Sequence, residues 1–69
     1  MRDRDDLRVH LKRLRFEAGQ MTQQDLAERV GVTRQTIISI EKGRYRPSVD
    51  LALRLARVFD ARVEDLFEL

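Results

Sequence analysis

Apolar residues recur at helical spacing along most of this chain, and glycines or capping residues interrupt the pattern. The stretch 22–43, TQQDLAERVGVTRQTIISIEKG, predicts two short helices joined by a tight turn. Leu26, Ala27 and Val30 share one face of the first helix, and Gly31 ends it where a left-handed backbone is needed. Two helices around a glycine-containing turn make a helix-turn-helix.

Both of these helices begin at a residue suited to capping. The Thr22 hydroxyl can accept from backbone N–H groups of the first turn, and Asp25 stands where a capping-box acid reaches back. Thr33 is predicted to cap the second helix, and Gly43 to end it. The two helices are therefore short and bounded by signals in their own sequence.

The second helix has two chemically different sides. At about 100° per residue, Thr33, Ile37 and Ile40 group on a side predicted to face the core. The opposite side carries Arg34, Gln35, Ile38, Ser39 and Lys42. Arginine pairs with guanine and glutamine with adenine, while serine can hydrogen-bond to more than one base. An isoleucine can contact a thymine methyl group. The alternative is an ordinary solvated face. The short, capped helix-turn-helix in which this face lies favours a face that contacts DNA bases.

The segment before this pair predicts another helix, beginning at Asp5 or Asp6 and closed by Gly19. Its predicted buried positions follow helical spacing: Leu7, Leu11, Leu14 and Ala18. His10 lies beside that stripe. Because no cysteine or second histidine accompanies it, we expect a surface or boundary histidine and not a metal ligand.

Two more helices are predicted after the pair. Ser48 is a suitable N-cap for a fourth helix over 49–59. Asp60 stands where a left-handed residue is needed, and Arg62 is a poor N-cap for the fifth helix. Val63 and Leu66 are expected to complete the core.

The run TQQDLAERVGVTRQTIISIEKGRYRPS resembles the DNA-binding core of the Cro and C1-type (XRE) helix-turn-helix family. The resemblance extends from Leu11 to Phe67. It implies an all-α, compact five-helix bundle of the phage-repressor type, in which helices 2 and 3 form the helix-turn-helix. The chain length predicts that residues 1–69 are a single DNA-binding domain, and residues 1–4 are expected to be disordered because chain ends fray. The implied function is a sequence-specific, homodimeric repressor acting on a palindromic operator.

Individual residues are assigned roles by their positions and chemistry, and for Arg15 and Glu41 by the resemblance. The residues expected to read bases are Arg34, Gln35, Ile38 and Ser39. The residues expected to hold phosphates are Gln23, Thr33, Lys42, Arg44, Tyr45 and Arg46. For Tyr45, packing at the edge of the core is nearly as good an explanation. Arg15 and Glu41 are expected to form a partly buried structural ion pair between the first and third helices.

The end of the chain carries more apolar residues than a short helix needs. Leu66, Phe67 and Leu69 are therefore expected to contribute to a homodimer interface, since a core this small gains from further burial. The alternative is that Phe67 and Leu69 fold back onto the fourth helix.

Composition narrows the possible functions. The 69 residues carry a net charge of +2 and no cysteine, so neither a disulfide nor a thiolate zinc site is available. Basic residues concentrate between 29 and 46 and acids between 60 and 69, which suits one DNA-facing side. The charged start of the chain is neither a signal peptide nor a membrane anchor, and we expect a cytoplasmic protein.

Three classes of function fit these residues to different degrees. A DNA-binding regulator with double-stranded DNA as its partner explains the most residues. A protein-interaction module of the same fold, such as the antitoxin of a toxin–antitoxin pair, is the alternative, favoured by the acidic and apolar end. An enzyme is disfavoured because the sequence offers no cysteine nucleophile, metal-ligand cluster or phosphate-binding loop. No cofactor, metal or small-molecule ligand is expected.

Overall fold

The computed structural model describes residues 7–69, which contain five α-helices and one pair of short β-strands. The helices are α1 Leu11–Glu17, α2 Gln23–Val30, α3 Arg34–Glu41, α4 Val49–Val58 and α5 Val63–Leu66, and the strands are β1 Arg8–Val9 and β2 Phe67–Glu68. The predicted five-helix fold is confirmed, with the strand pair as an addition. The predicted disorder of residues 1–4 concerns a segment outside the described residues.

The core lies where the apolar stripes of the short helices meet. α2 packs against both α3 and α4, and α4 packs against α5. The fully buried large side chains are Leu11, Leu26, Ile37, Ile40, Leu55 and Leu66. Val63 is half-buried against this cluster. Each helix is too short to be stable alone, so its stability comes from burying this stripe.

The predicted caps of the helix-turn-helix are present. The Thr22 hydroxyl accepts from the Asp25 N–H at 2.9 Å, and the Asp25 carboxylate accepts from the Thr22 N–H at 3.2 Å. Gly31 follows α2 in the left-handed region, with φ 77°. The Thr33 hydroxyl accepts from the Thr36 N–H at 3.3 Å. Thr33 itself is exposed, so its expected place on the core side is wrong: an N-cap precedes the first helical turn and does not share its buried face.

The first helix starts later than expected. α1 begins at Leu11, so the predicted start at Asp5 or Asp6 is wrong. β1 occupies the segment before α1 and pairs antiparallel with β2 from the other end of the chain. The His10 N–H extends this pairing by donating to the Leu66 carbonyl at 2.9 Å. In the segment before α1, pairing between β1 and β2 therefore determines the backbone conformation, although the spacing of its apolar residues predicts a helix.

The remaining helix ends are close to expectation, with one error. Ala18, predicted to be buried, is the exposed C-cap of α1, because the helix ends one residue earlier. The Ser48 hydroxyl caps α4 by accepting from the Leu51 N–H at 3.2 Å. Asp60 adopts the expected left-handed backbone, with φ 51°. Arg62 gives α5 no side-chain cap, and α5 is a single turn.

Candidate nucleic-acid interface

α3 presents its polar side as a ridge on the surface. Arg34 and Gln35 are exposed, and Ile38 and Ser39 are half-buried at the base of the same side. On the opposite side, two isoleucines are completely buried. Because the buried side is anchored in the core, the four residues predicted to read bases are brought together on one outward face.

Open clefts run along both flanks of this ridge. On one flank, Arg34 lines a cleft of about 420 Å³ with the start of α2, and Ile38 lines one of about 300 Å³ with α1. On the other flank, Gln35 and Ser39 line a cleft of about 200 Å³ together with Tyr45. A helix with open clefts along both sides can enter the major groove of B-DNA, which is about 12 Å wide.

Arg15 and Glu41 fix the far end of α3 to α1. The guanidinium donates from Nε to one Glu41 oxygen at 2.7 Å and from a terminal nitrogen to the other at 3.0 Å. Its second terminal nitrogen donates to the Met21 carbonyl at 2.9 Å. The two side chains are 13% and 10% exposed, so the pair is largely shielded from solvent. The pair is therefore a structural joint and leaves neither charge free for a ligand.

Gln23 is also part of this joint. Its side-chain amide donates to a Glu41 oxygen at 3.1 Å, so the amide nitrogen is already engaged. Gln23 is the first residue of α2, where backbone N–H groups point outward without helical partners. For a phosphate contact, Gln23 therefore offers its backbone N–H and the second hydrogen of its side-chain amide.

The other predicted phosphate contacts surround the ends of α3. Lys42, Arg44, Tyr45 and Arg46 follow its C-terminal end, where Lys42, Arg44 and Tyr45 are exposed. Tyr45 is 48% exposed and faces the cleft beside α3, which is against the alternative of core-edge packing. Thr33 is exposed at the start of α3, where its hydroxyl accepts the capping bond from the Thr36 N–H.

Two residues beside this surface were missed by sequence reasoning. Lys12 lines the same cleft as Ile38 and Lys42, and it lies one turn before Arg15 on α1. Lys12 could have been found from the expected contact between Arg15 and α3, because Lys12 lies three positions before Arg15 and shares its helix face. Gln20 lines the cleft beside Arg34 and has a left-handed backbone, with φ 60°, which its sequence does not indicate.

The three residues expected to form a dimer interface differ in how exposed they are. Leu66 is completely buried in the core of the single chain, so it has no surface left to contribute, and its assignment is wrong. Phe67 is half-buried in β2 opposite Val9. Leu69 alone is strongly exposed, at 78%.

Metal binding and membrane insertion find no support in the described part of the chain. Within residues 7–69, no group of three or more His, Cys, Asp or Glu side chains is placed to hold a metal ion. Over the same range, no helix has both the length and the apolar character needed to cross a bilayer.

Comparison with known proteins places these features in a family. A profile of the helix-turn-helix family matches residues 11–66. A transcriptional regulator of this type from Archaeoglobus fulgidus is 52% identical over 61 residues, covering 88% of this chain and 86% of the relative. One from Methanothermobacter thermautotrophicus is 55% identical over 62 residues, covering 88% of each. The regulator YgzD of Bacillus subtilis is 49% identical over 57 residues, covering 83% of this chain and 85% of that protein. All three are described as uncharacterized HTH-type transcriptional regulators. With α2 and α3 forming the motif, the chain belongs to the Cro/C1-type helix-turn-helix family of DNA-binding transcriptional regulators.

Proposed function

We propose that this protein is a homodimeric repressor that recognises a palindromic operator through α3. The observation that carries the proposal is the outward face of α3, where Arg34, Gln35 and Ser39 stand together above a buried isoleucine anchor. None of these three side chains makes a hydrogen bond or ion pair with another of residues 7–69. Their donors and acceptors are available to base edges.

Each residue on this face suits a different feature of the major groove. Arg34 can donate two bonds to guanine, and Gln35 can bond both N6 and N7 of adenine. Ser39 lies one turn after Gln35 and can donate to or accept from a neighbouring base. Ile38 lies one turn after Arg34 and supplies an apolar contact for a thymine methyl.

The surroundings of α3 suit the sugar-phosphate backbone. Lys12 and Lys42 flank one cleft, while Arg44 and Arg46 follow the helix in a surface loop. Such cations give affinity and register without reading sequence. The start of α2, with the Gln23 N–H, offers a further anion contact at a helix N-terminus.

A repressor of this kind acts as a pair. Two copies related by a two-fold axis place their recognition helices in successive major grooves, about 34 Å apart, over an operator with matching symmetry. Occupying such a site in a promoter excludes other proteins, and we assign repression as the regulatory outcome.

The experiment begins with selection of bound sequences from a pool of random DNA duplexes. An inverted repeat with half-sites one helical turn apart is the expected result. A promoter carrying the selected site should then lose expression when the protein is present. An unselective pool, or half-sites without symmetry, would contradict the proposal.

Two substitutions then separate base reading from phosphate binding. Arg34→Ala should cost about 1–3 kcal/mol on the selected operator and relax the preference at one base pair of each half-site. Arg44→Ala should weaken binding to all sequences alike and flatten the salt dependence of binding. Arg62→Ala, an exposed arginine at the acidic end of the chain, is the control and should change neither. The same effect from Arg34→Ala and Arg44→Ala would show that these roles are wrongly assigned.

A further inference from the structure

The outer side of α4 carries two exposed apolar residues. Val49 is 74% exposed and Leu53 is 50% exposed, although both are large aliphatic residues. They are four residues apart, so they lie one above the other on the same helix face. The opposite face of α4 is in the core, where Leu51, Ala52, Leu55 and Ala56 are buried. α4 is therefore apolar on two sides, and among residues 7–69 only one of these sides is buried in the core.

Two opposite charges lie at the two ends of this exposed stripe. Asp50 is in the first turn of α4 and Arg57 is in the last. At about 100° per residue, both fall within roughly 100° of Val49, on the same outward side. Neither makes a salt bridge within the described range 7–69. Arg54, at the edge of this side, is instead directed toward the Val30 carbonyl at 3.5 Å.

An acid at one end and a base at the other make this face complementary to itself. When two copies of α4 lie antiparallel about a two-fold axis that passes between Leu53 and Arg54, residue 50 of each lies beside residue 57 of the other. Leu53 then packs against its own symmetry mate, and each Asp50 meets an Arg57 of the partner copy. The antiparallel arrangement also places the positive end of each helix dipole beside the negative end of the other.

We propose that a second copy of this chain docks on the outer face of α4, with Val49 and Leu53 as the apolar centre and Asp50 and Arg57 as reciprocal ion pairs. This inference rests on the proposed homodimeric function and names its interface. This interface differs from the one expected at the end of the chain. Leu66 is buried in the core, and Leu69 is exposed but follows Glu68 and a half-buried Phe67, so it is not part of an exposed apolar stripe.

The size of the face sets the strength of the pairing. A helix of 10 residues is about 15 Å long, and a standard interface needs about 800 Å² from each partner. That area is roughly a sixth of the 5092 Å² surface of this chain, which is more than one face of α4 supplies. The dimer should therefore be weak in solution, with a dissociation constant on the order of micromolar or above. Binding of two copies to adjacent half-sites should be cooperative, because DNA raises their effective concentration.

Sedimentation equilibrium of the whole protein, from micromolar to millimolar concentration and without DNA, tests the interface directly. The wild type should show a reversible monomer–dimer equilibrium. Leu53→Glu should weaken self-association at least tenfold. Asp50→Arg and Arg57→Asp should each weaken it, and the double substitution should restore it, because the two charges of each intermolecular pair are then exchanged and still opposite. The substituted positions are all at the surface, and circular dichroism verifies that each variant is folded.

Two controls remove exposed apolar residues elsewhere. Phe16→Gln on α1 and Leu69→Ser at the end of the chain should leave the equilibrium unchanged. Loss of the dimer in Leu69→Ser with retention in Leu53→Glu would place the interface at the chain end and overturn the proposal. A wild type that stays monomeric at millimolar concentration, or a double charge swap that fails to restore pairing, would overturn it as well.

A DNA measurement separates this inference from the proposed function. On a single half-site, Leu53→Glu should bind as tightly as the wild type, and on the full operator it should lose cooperativity. Equal cooperativity of Leu53→Glu and the wild type on the full operator would contradict the α4 interface without contradicting DNA recognition. Absence of sequence-specific binding by both would sink the proposed function, while the sedimentation result would still decide the interface.

Discussion

Arg15 holds both carboxylate oxygens of Glu41, at 2.7 and 3.0 Å, and so joins α1 to the last residue of α3. Gln23 reaches the same carboxylate from the start of α2 at 3.1 Å. One acidic side chain therefore links three helices. The helix proposed to read bases and the N–H proposed to meet a phosphate are kept in a constant relation by this joint.

Removing the acid should destabilise the fold strongly. Glu41→Ala leaves the Arg15 guanidinium largely buried without a counter-charge, and the free energy of unfolding should fall by about 3–5 kcal/mol in urea denaturation. The double variant Arg15→Met with Glu41→Leu should recover most of the loss, because it removes both charges. Glu28→Ala is the control. The Glu28 carboxylate accepts an exposed hydrogen bond from the Gln24 amide, so its removal should change stability by less than about 0.5 kcal/mol. An equal loss in the Glu28 and Glu41 variants would show that the joint contributes little.

Ile38 should give the protein a preference for thymine over deoxyuridine. The two bases differ only by the methyl group in the major groove, and burying one such group stabilises by about 0.8 kcal/mol, or roughly fourfold in affinity. Replacing each thymine of the operator in turn by deoxyuridine should reveal one sensitive position per half-site. Ile38→Ala should bind the two operators equally well there. A preference that survives in Ile38→Ala would show that another side chain contacts the methyl.

Gln20→Gly should stabilise the protein. A glutamine at φ 60° carries the steric cost of a left-handed conformation, about 1 kcal/mol, which glycine lacks. Asp60→Gly should stabilise less, because aspartate tolerates the φ of 51° found there better than glutamine does. Urea denaturation of the two variants measures both effects. A loss of stability in Gln20→Gly would mean that the glutamine side chain makes a contribution larger than this strain.

The contact between His10 and Glu68 should make stability depend on acidity. The His10 ring nitrogen donates to the Glu68 carboxylate at 2.9 Å and, with the nearby positive charge of Arg8, holds the Glu68 pKa below its usual value of 4.5. A lowered pKa in the folded state contributes stability that is complete above pH 4.5 and is lost as the pH falls through the folded value. Between about pH 6 and pH 3, the wild type should therefore lose more stability than Glu68→Gln does. Parallel pH profiles of the two proteins would contradict this expectation.

The helix-turn-helix was predictable because its signals are local. Thr22 with Asp25, and Gly31 after α2, determine where that helix begins and ends within a few residues of sequence. The side of α3 that faces the core follows from the spacing of Ile37 and Ile40 alone. Such features depend on neighbours in the chain, so a single sequence reveals them.

The strand pair and the exposed face of α4 were not predictable in the same way. β1 is stabilised by β2, which lies almost sixty positions later, and no local periodicity in the chain reports that contact. The exposure of Val49 and Leu53 depends on which neighbours pack against α4. The hydrogen bond from the Gln23 side chain to Glu41 was not predicted either, because the two residues come together only when α2 and α3 pack against each other.

The pairing of Arg8 with Glu68 brings the two ends of the described chain side by side, since adjacent strands lie about 4.8 Å apart. In a variant that lacks residues 1–6, a short peptide joining Leu69 to Leu7 would therefore close the backbone into a ring. Closure would remove much of the freedom of the unfolded chain and raise the melting temperature without altering α3. The same ring, opened in the surface segment 44–46, would give a circular permutant whose new ends lie just after α3.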